Sequence, residues 1–398
     1  MILGENTYKV GGNDVAKIYL GSNEVFSAFN YELTGTVDTI ASADFDSPDG
    51  LSGKDITGNG LNDYLVANET GQVYWFEQTA YQTFTRHTIN ASSETGKKEG
   101  AVWWFVDGGW VAIVLDQTNG HLVMWYPNTG GDYDGTWSRV ALRTDRGRPQ
   151  DAKTWDIDED GNTELVYSWE GVGAAVGGVH WMKFTGSDFT NPAHYTDYII
   201  TTQDGCWWIT EERRDLSGNG RATDFAFTAR LNGSVDPGVF YLLEPADVTD
   251  TWTRVEIDGT YKDILHIEFG NFFGTSNKDL VVNTREGDLW IYDFDNDYAK
   301  TVIESGNTNR NTYLAFTHKN THNGRNKIIS SGGPDYASGS FGLITVWLWN
   351  GSSWVADQTI NNQVKKIDDR SVWEQINAQG DWGIYTLDSL TNEFLLIK

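Results

Sequence analysis

Three acidic loops carry the residue types best suited to chemistry. Asp156-Ile-Asp-Glu-Asp-Gly-Asn-Thr-Glu164 sets carboxylates at alternating positions and closes on a glutamate. Ca²⁺ takes about six to eight oxygens from alternating side chains and a backbone carbonyl, with glycine allowing the turn. Asp156, Asp158, Asp160 and Glu164 meet that demand. The segment Asp55-Ile-Thr-Gly-Asn-Gly-Leu-Asn-Asp63 offers Asp55, Thr57, Asn59 and Asp63, with fewer formal charges and so a weaker expected affinity. A third, Asp215-Leu-Ser-Gly-Asn-Gly-Arg-Ala-Thr-Asp224, offers Asp215, Ser217, Asn219 and Asp224, its closing acid one position late. In each loop the competing reading is an Asx-rich turn that bonds its own backbone. Any ion held there would be structural.

A second set pairs an acid with an aromatic residue four positions on. The pairs are Glu99/Trp103, Asp151/Trp155, Asp204/Trp208 and Asp369/Trp373, with Asn309/Tyr313 a variant. Asp38 and Asp263 stand in the same column without the aromatic. Flat aromatic faces with nearby carboxylates suit a sugar or a cationic ligand. The alternative is that each acid caps a turn and each ring fills a wedge between repeats. His266 with Tyr313 and Arg370 could abstract a proton beside a sugar carboxylate; otherwise His266 is a packed residue. The histidines show no metal-ligand spacing, and no Ser/His/Asp order, P-loop or dinucleotide fingerprint appears. The expectation is a binding protein and not an enzyme.

Short alternating apolar runs broken by Gly, Asn, Asp and Thr must position these residues, which is an all-β pattern. Each acidic loop precedes a strand-like run and then an aromatic one: Val73-Tyr-Trp-Phe76, Val179-His-Trp-Met182 and Val239-Phe-Tyr-Leu242. Weaker copies fill the gaps, and the acid column recurs every 46 to 61 residues by subtraction of its positions. That period fits four strands and their turns, the signature of a propeller. Seven units result. The last ends after its third strand, so 31–37 is expected to supply the fourth and remove both exposed edges. The expected fold is an all-β, seven-bladed β-propeller over 31–398, closed by an N-terminal strand and preceded by a short β-hairpin module over 1–30. The segment Asp44-Phe-Asp-Ser-Pro-Asp-Gly50 competes as a loop and leaves the register of the first blade open.

The loop Asp156–Glu164 and aromatic strands such as Gly178-Val-His-Trp-Met-Lys-Phe184 resemble the FG-GAP/VCBS propeller repeats. That resemblance implies structural calcium in the loops. Ahead of the ring, Lys17-Ile-Tyr-Leu-Gly-Ser-Asn-Glu-Val25 resembles a short module of bacteriophage virion proteins. It implies attachment to other virion proteins through residues 8–30, since a two-stranded hairpin must pack on something.

Composition narrows the classes. The chain has 398 residues and a formal net charge of −27, from 29 Lys and Arg against 56 Asp and Glu. Such a field repels phosphate backbones, so nucleic acid is not an expected partner. No apolar run approaches the ~18 residues of a membrane helix. The lone Cys206 excludes an internal disulfide framework. Nothing at the start reads as a signal peptide. The N-terminal resemblance implies a virion protein, a multicopy or homo-oligomeric particle component, and the missing signal peptide and disulfides fit its assembly in a host cytoplasm. It would serve host-surface glycan adhesion or capsid or tail decoration. The alternatives are a stand-alone calcium-stabilised carbohydrate-binding propeller, exported by a nonclassical route, and a polysaccharide lyase or sugar dehydratase.

Overall fold

The computed structural model describes the strands between 9 and 27, then 37–42, 48–90, 98–145, 147–171, 177–203, 205–230, 237–260, 264–274, 278–284, 287–306, 315–322, 325–332, 343–361, 372–375, 382–388 and 393–397. Its strands form seven four-stranded antiparallel sheets arranged in a ring, a seven-bladed β-propeller.

Blade 1 runs Pro48–Lys54, Asp63–Asn68, Val73–Ala80, Thr83–Asn90 from axis to rim. Blade 2 comprises Lys98–Val106, Gly109–Asp116, His121–Pro127, Trp137–Arg143. In blade 3 the strands are Arg148–Trp155, Glu164–Glu170, Gly178–Phe184, Tyr195–Thr202. Those of blade 4 are Cys206–Ile209, Phe225–Ala229, Gly238–Leu243, Thr253–Asp258. Blade 5 has Ile264–Gly270, Asp279–Thr284, Leu289–Asp293, Ala299–Glu304. Blade 6 follows with Ala315–His322, Arg325–Gly332, Leu343–Trp349, Trp354–Asn361. Blade 7 takes Val372–Gln375, Trp382–Asp388 and Glu393–Ile397 from the end of the chain, and its outer strand Val37–Ser42 from near the start.

The closing strand thus begins at Val37, where the sequence reading ended it. The acidic loops explain the difference. Each joins the first and second strands of a blade, so the run ending at Lys54, paired with Asp63, must be the innermost strand of blade 1. The β-branched run Val37–Ser42 is then left to pair with Glu393–Ile397. Asp38 therefore belongs to the outer strand of blade 7, not to the inner column.

The apolar core is a set of wedges between blades. One combines Trp75 and Leu65 of blade 1 with Trp103 and Val114 of blade 2. Another sets Trp104 and Ile113 of blade 2 against Tyr167 and Met182 of blade 3. The seam of ring closure joins Tyr64 and Phe76 to Tyr385 and Phe394. Large rings suit this geometry because blades splay toward the rim and leave tapering gaps that must be filled to crystal-like density. Near the axis the opposite demand holds: a Cβ on Gly50 would lie 2.8 Å from the Ala101 backbone nitrogen, so only glycine fits between those inner strands.

Ahead of the ring, Lys17–Leu20 pairs antiparallel with Asn23–Ser27, and Lys9–Val10 with Asn13–Asp14, each as a separate two-stranded sheet.

Candidate functional site

The closing acid of each loop is first a turn staple. Ile56 and Thr57 donate backbone N–H groups to Asp63 Oδ2 at 3.0 and 3.1 Å, and Gln78 N–H donates to Oδ1 at 2.9 Å. Leu216 and Ser217 do the same for Asp224 Oδ2, with Glu244 N–H on Oδ1, each at 2.8 Å. Its late position is absorbed by the loop. Asp279 in blade 5 repeats the Oδ2 half of the arrangement with Phe272 and Phe273, a fourth member without an acidic-loop motif in the sequence, while its Oδ1 is buried and unpartnered. Asp55 likewise takes N–H groups of Gly58, Asn59 and Gly60 on its two oxygens, and Asn59 Oδ1 accepts from Leu61. In the Asp215–Asp224 loop Asp215 takes Gly220 N–H on Oδ2 and keeps a buried, unpartnered Oδ1, and Asn219 takes Arg221 N–H, but no three acids converge there among the described residues. A cation at the Asp55–Asp63 loop would have to displace the bonds of Asp55 and Asn59. Thr57 and Ser217 are placed within the same turns.

The blade 3 loop is different. One oxygen from each of Asp156, Asp158 and Glu164 lies within 4.8 Å of the others. Asp156 Oδ1 and Asp158 Oδ1 are buried and have no hydrogen-bond partner, an expensive state for carboxylates that a hard cation would relieve. Glu164 accepts from Ile157 N–H at 2.9 Å, and burial pushes its carboxyl up to about 7. A positive charge is already present: Lys183, at the end of the third strand, bonds both Asp158 and Asp160. Its ammonium holds the Asp160 carboxyl below the usual range.

The acid and aromatic pairs do not form one column in space. The inner-strand register shift places Gly50, Gly100, Asp151 and His266 at equivalent positions. Glu99 falls one residue before that point. Asp151 and Trp155 lie on one strand, about 13 Å apart at four residues' separation. Trp155 therefore ends up beside the acidic loop, not at the opposite mouth. Trp103, Trp155 and Trp208 are all buried, and they fill the seams between blades 1 and 2, 3 and 4, and 4 and 5. Their edges bridge blades as well: Trp103 Nε1 donates to the Asp63 carbonyl at 3.2 Å, and Trp155 Nε1 to that of Glu211 at 3.2 Å. Rings without an exposed face offer no stacking platform, so these three do not make the expected aromatic mouth. Trp373 lies in the inner strand of blade 7. Asp204, Tyr313, Asp369 and Arg370 lie outside the described residues.

The structure instead gathers a charged cluster along the axis. Asp151 accepts the Ile209 N–H at 3.0 Å, and its other oxygen lies 3.3 Å from Lys153 Nζ. Lys153 bonds Glu211, which follows the inner strand of blade 4. Glu211 N–H donates to Glu268 Oε2 at 2.8 Å, and Phe269 N–H donates to Oε1 at 2.8 Å. Charges of Lys54, Lys153 and His266, from blades 1, 3 and 5, converge on Glu211 of blade 4, and only the axis is common to those blades. The side chain of Glu211 is 61% exposed, so it faces channel water. The blades packed around the channel would by themselves raise its carboxyl even though its tip reaches water, but Lys153, with His266 and Lys54 beyond, holds it below the usual range. Burial and the Glu211 charge push Glu268 up to about 8. Two neighbouring acids thus differ in protonation near neutrality, the state in which one can donate and the other accept a proton. The sequence offered no motif for this cluster, because its members come from four blades.

Exposed aromatic surface occurs at the acidic-loop end. Phe105 is 44% exposed and meets half-buried Trp110 edge to face at 5.2 Å. The two flank Asp107-Gly108, where φ is positive at both residues (49° and 77°), the turn that a two-residue hairpin requires. Thr163 of the blade 3 loop donates to the Phe105 carbonyl at 3.3 Å, so this platform adjoins the Asp156–Glu164 loop.

No protein-family model matches the chain. No curated protein is significantly similar to it. Among solved structures it is similar to a crystal structure of a protein from Lactobacillus plantarum, at 10% identity and a TM-score of 0.49, over 81% of this chain and 87% of that one. The pairing of its own strands, closed by Val37–Ser42 against Glu393–Ile397, makes the chain a seven-bladed β-propeller.

Proposed function

We propose that this chain is a non-catalytic virion protein whose propeller is displayed for adhesion to host-surface glycans. The observation that carries the adhesion reading is the exposed Phe105/Trp110 platform beside the Asp156–Glu164 loop. An aromatic face next to polar loop groups suits a pyranose ring, apolar on one side and hydroxylated at its edge. The attachment part rests on the N-terminal resemblance and on the hairpin Lys17–Leu20/Asn23–Ser27, which pairs within itself and with no blade among the described strands. Many copies would compensate for a weak single site.

Calcium fits the blade 3 loop. Asp156, Asp158 and Glu164 would hold it, with Asp160 alternating between the ion and Lys183. The ion would supply charge neutralisation and fix the loop against the Phe105 side; it has no chemical step to perform.

Binding of the full chain to a panel of bacterial surface polysaccharides tests the proposal. Phe105→Ala should abolish binding with the melting curve nearly unchanged, because that ring is already substantially exposed. Full retention of binding by that variant would remove the platform. The lyase or dehydratase reading is favoured by the contrast between Glu211 and Glu268. Unsaturated product absorbance on acidic polysaccharides, lost in Glu211→Gln, would replace adhesion with that chemistry.

A further inference from the structure

A separate cluster lies on the outer part of the seam between blades 1 and 2. In blade 1, His87 stands directly opposite Trp75, and Glu77 is its diagonal neighbour on the same face. His87 Nε2 lies 3.2 Å from Glu77 Oε2. Its Nδ1 lies 3.1 Å from Asp134 Oδ1, on the loop between the outer strands of blade 2. One ligand atom from each of the three lies within 4.8 Å of the others. The Trp75 indole stacks on the imidazole, centroids 4.2 Å apart and planes 14° apart, and fixes the ring's plane.

We propose that Glu77, His87 and Asp134 bind a divalent transition metal, zinc above all, and that the metal clasps blade 1 to blade 2. An imidazole nitrogen with two carboxylates is a zinc-type donor set, unlike the all-oxygen loop of blade 3. Bonds of about 2.0–2.1 Å in a tetrahedral site place ligand atoms roughly 3.3 Å apart. The 3.2 Å between Glu77 and His87 already has that spacing. For an ion on Nε2, Asp134 must release Nδ1 on the other side of the ring and swing its carboxylate round, which its 68% exposure allows, with water in the fourth position. His87 and Glu77, at 17% and 26% exposure, form the fixed half of the site. The site shares no residue with the axis cluster or with the acidic loops.

The test uses the full chain stripped with chelator and titrated with Zn²⁺ by calorimetry, and separately with Cu²⁺. Zinc should bind with one-to-one stoichiometry and raise the melting temperature, and His87→Gln should weaken binding about tenfold or more. Cu²⁺ should quench part of the tryptophan emission through Trp75 and show nitrogen coupling in its paramagnetic resonance spectrum; both signals should disappear in His87→Gln. Asp156→Asn with Asp158→Asn should leave zinc binding intact, which separates this site from the calcium loop. Equal zinc affinity in wild type and His87→Gln, or no zinc binding in either, would overturn the proposal and leave the cluster a histidine held between two acids.

Discussion

The backbone N–H of Glu211 donates to Glu268 Oε2 at 2.8 Å across the seam between blades 4 and 5. On the other side Asp151 of blade 3 accepts the N–H of Ile209. The inner strand of blade 4 is short, Cys206–Ile209, with an irregular register. Carboxylates of both neighbouring blades hold the chain just where its own ladder fails, and so carry Glu211 into the channel.

Stability should fall as pH rises through the neutral range. The Glu164, Glu268 and Asp279 carboxyls are raised in the folded chain from 4.5, 4.5 and 3.8 to about 7, 8 and 6. Between each ordinary value and its raised one the folded state holds a proton that the unfolded state has lost, so raising pH favours unfolding. Denaturant unfolding with chelator present should show decreasing stability from about pH 5 to pH 8. Glu268→Gln should flatten the upper part of that slope; an unchanged slope would mean that Glu268 is ionised throughout.

Trp155→Ala should destabilise the fold by about 3–5 kcal/mol, the usual loss for a buried large ring. The indole packs on Phe225 at 5.1 Å, lies under Arg213 and bonds across the blade 3/4 seam. Phe105→Ala, by contrast, should cost under about 1 kcal/mol, because that ring is already substantially exposed. Equilibrium unfolding curves distinguish the two, and similar losses would contradict the assignment of wedge and platform.

Lys183→Met should tighten calcium binding about tenfold, because the ammonium competes for Asp158 and Asp160. Calcium calorimetry on wild type and variant measures this directly. Unaltered affinity would show that Lys183 sits beside the ion and not in its place.

Gly50→Ala should lose roughly 1–3 kcal/mol through overpacking. Its added methyl would meet backbone of blade 2 at 2.8 Å, where no flexible side chain can yield. Gly58→Ala provides the contrast, since no atom lies within 4 Å and only its φ of +76° resists the change.

Much of this architecture is legible in the sequence. The acidic loops, each followed by a strand and an aromatic strand, mark the first-to-second turn of blades 1, 3 and 4, because turn chemistry is local. The aromatic third strands announce inter-blade packing by their size. The acid and aromatic column misled because counting along the chain cannot register a β-bulge, and a one-residue shift moves a side chain to the other face. Glu99 precedes the shift while Asp151 follows it, so matching letters occupy different places. Glu77, His87 and Asp134 left no sequence signal, being related by a cross-strand diagonal and a neighbouring blade.

By itself the sequence determined the all-β class, the seven units, closure by an N-terminal strand and the turn acids, all set by local pattern and period. Only the tertiary structure decided which strand closes the ring, which tryptophans are buried, and that Lys153, Glu211 and Glu268 meet at the axis. Those outcomes depend on pairing register and on contacts between blades, where residues distant in the chain compete for the same space and the same hydrogen bonds.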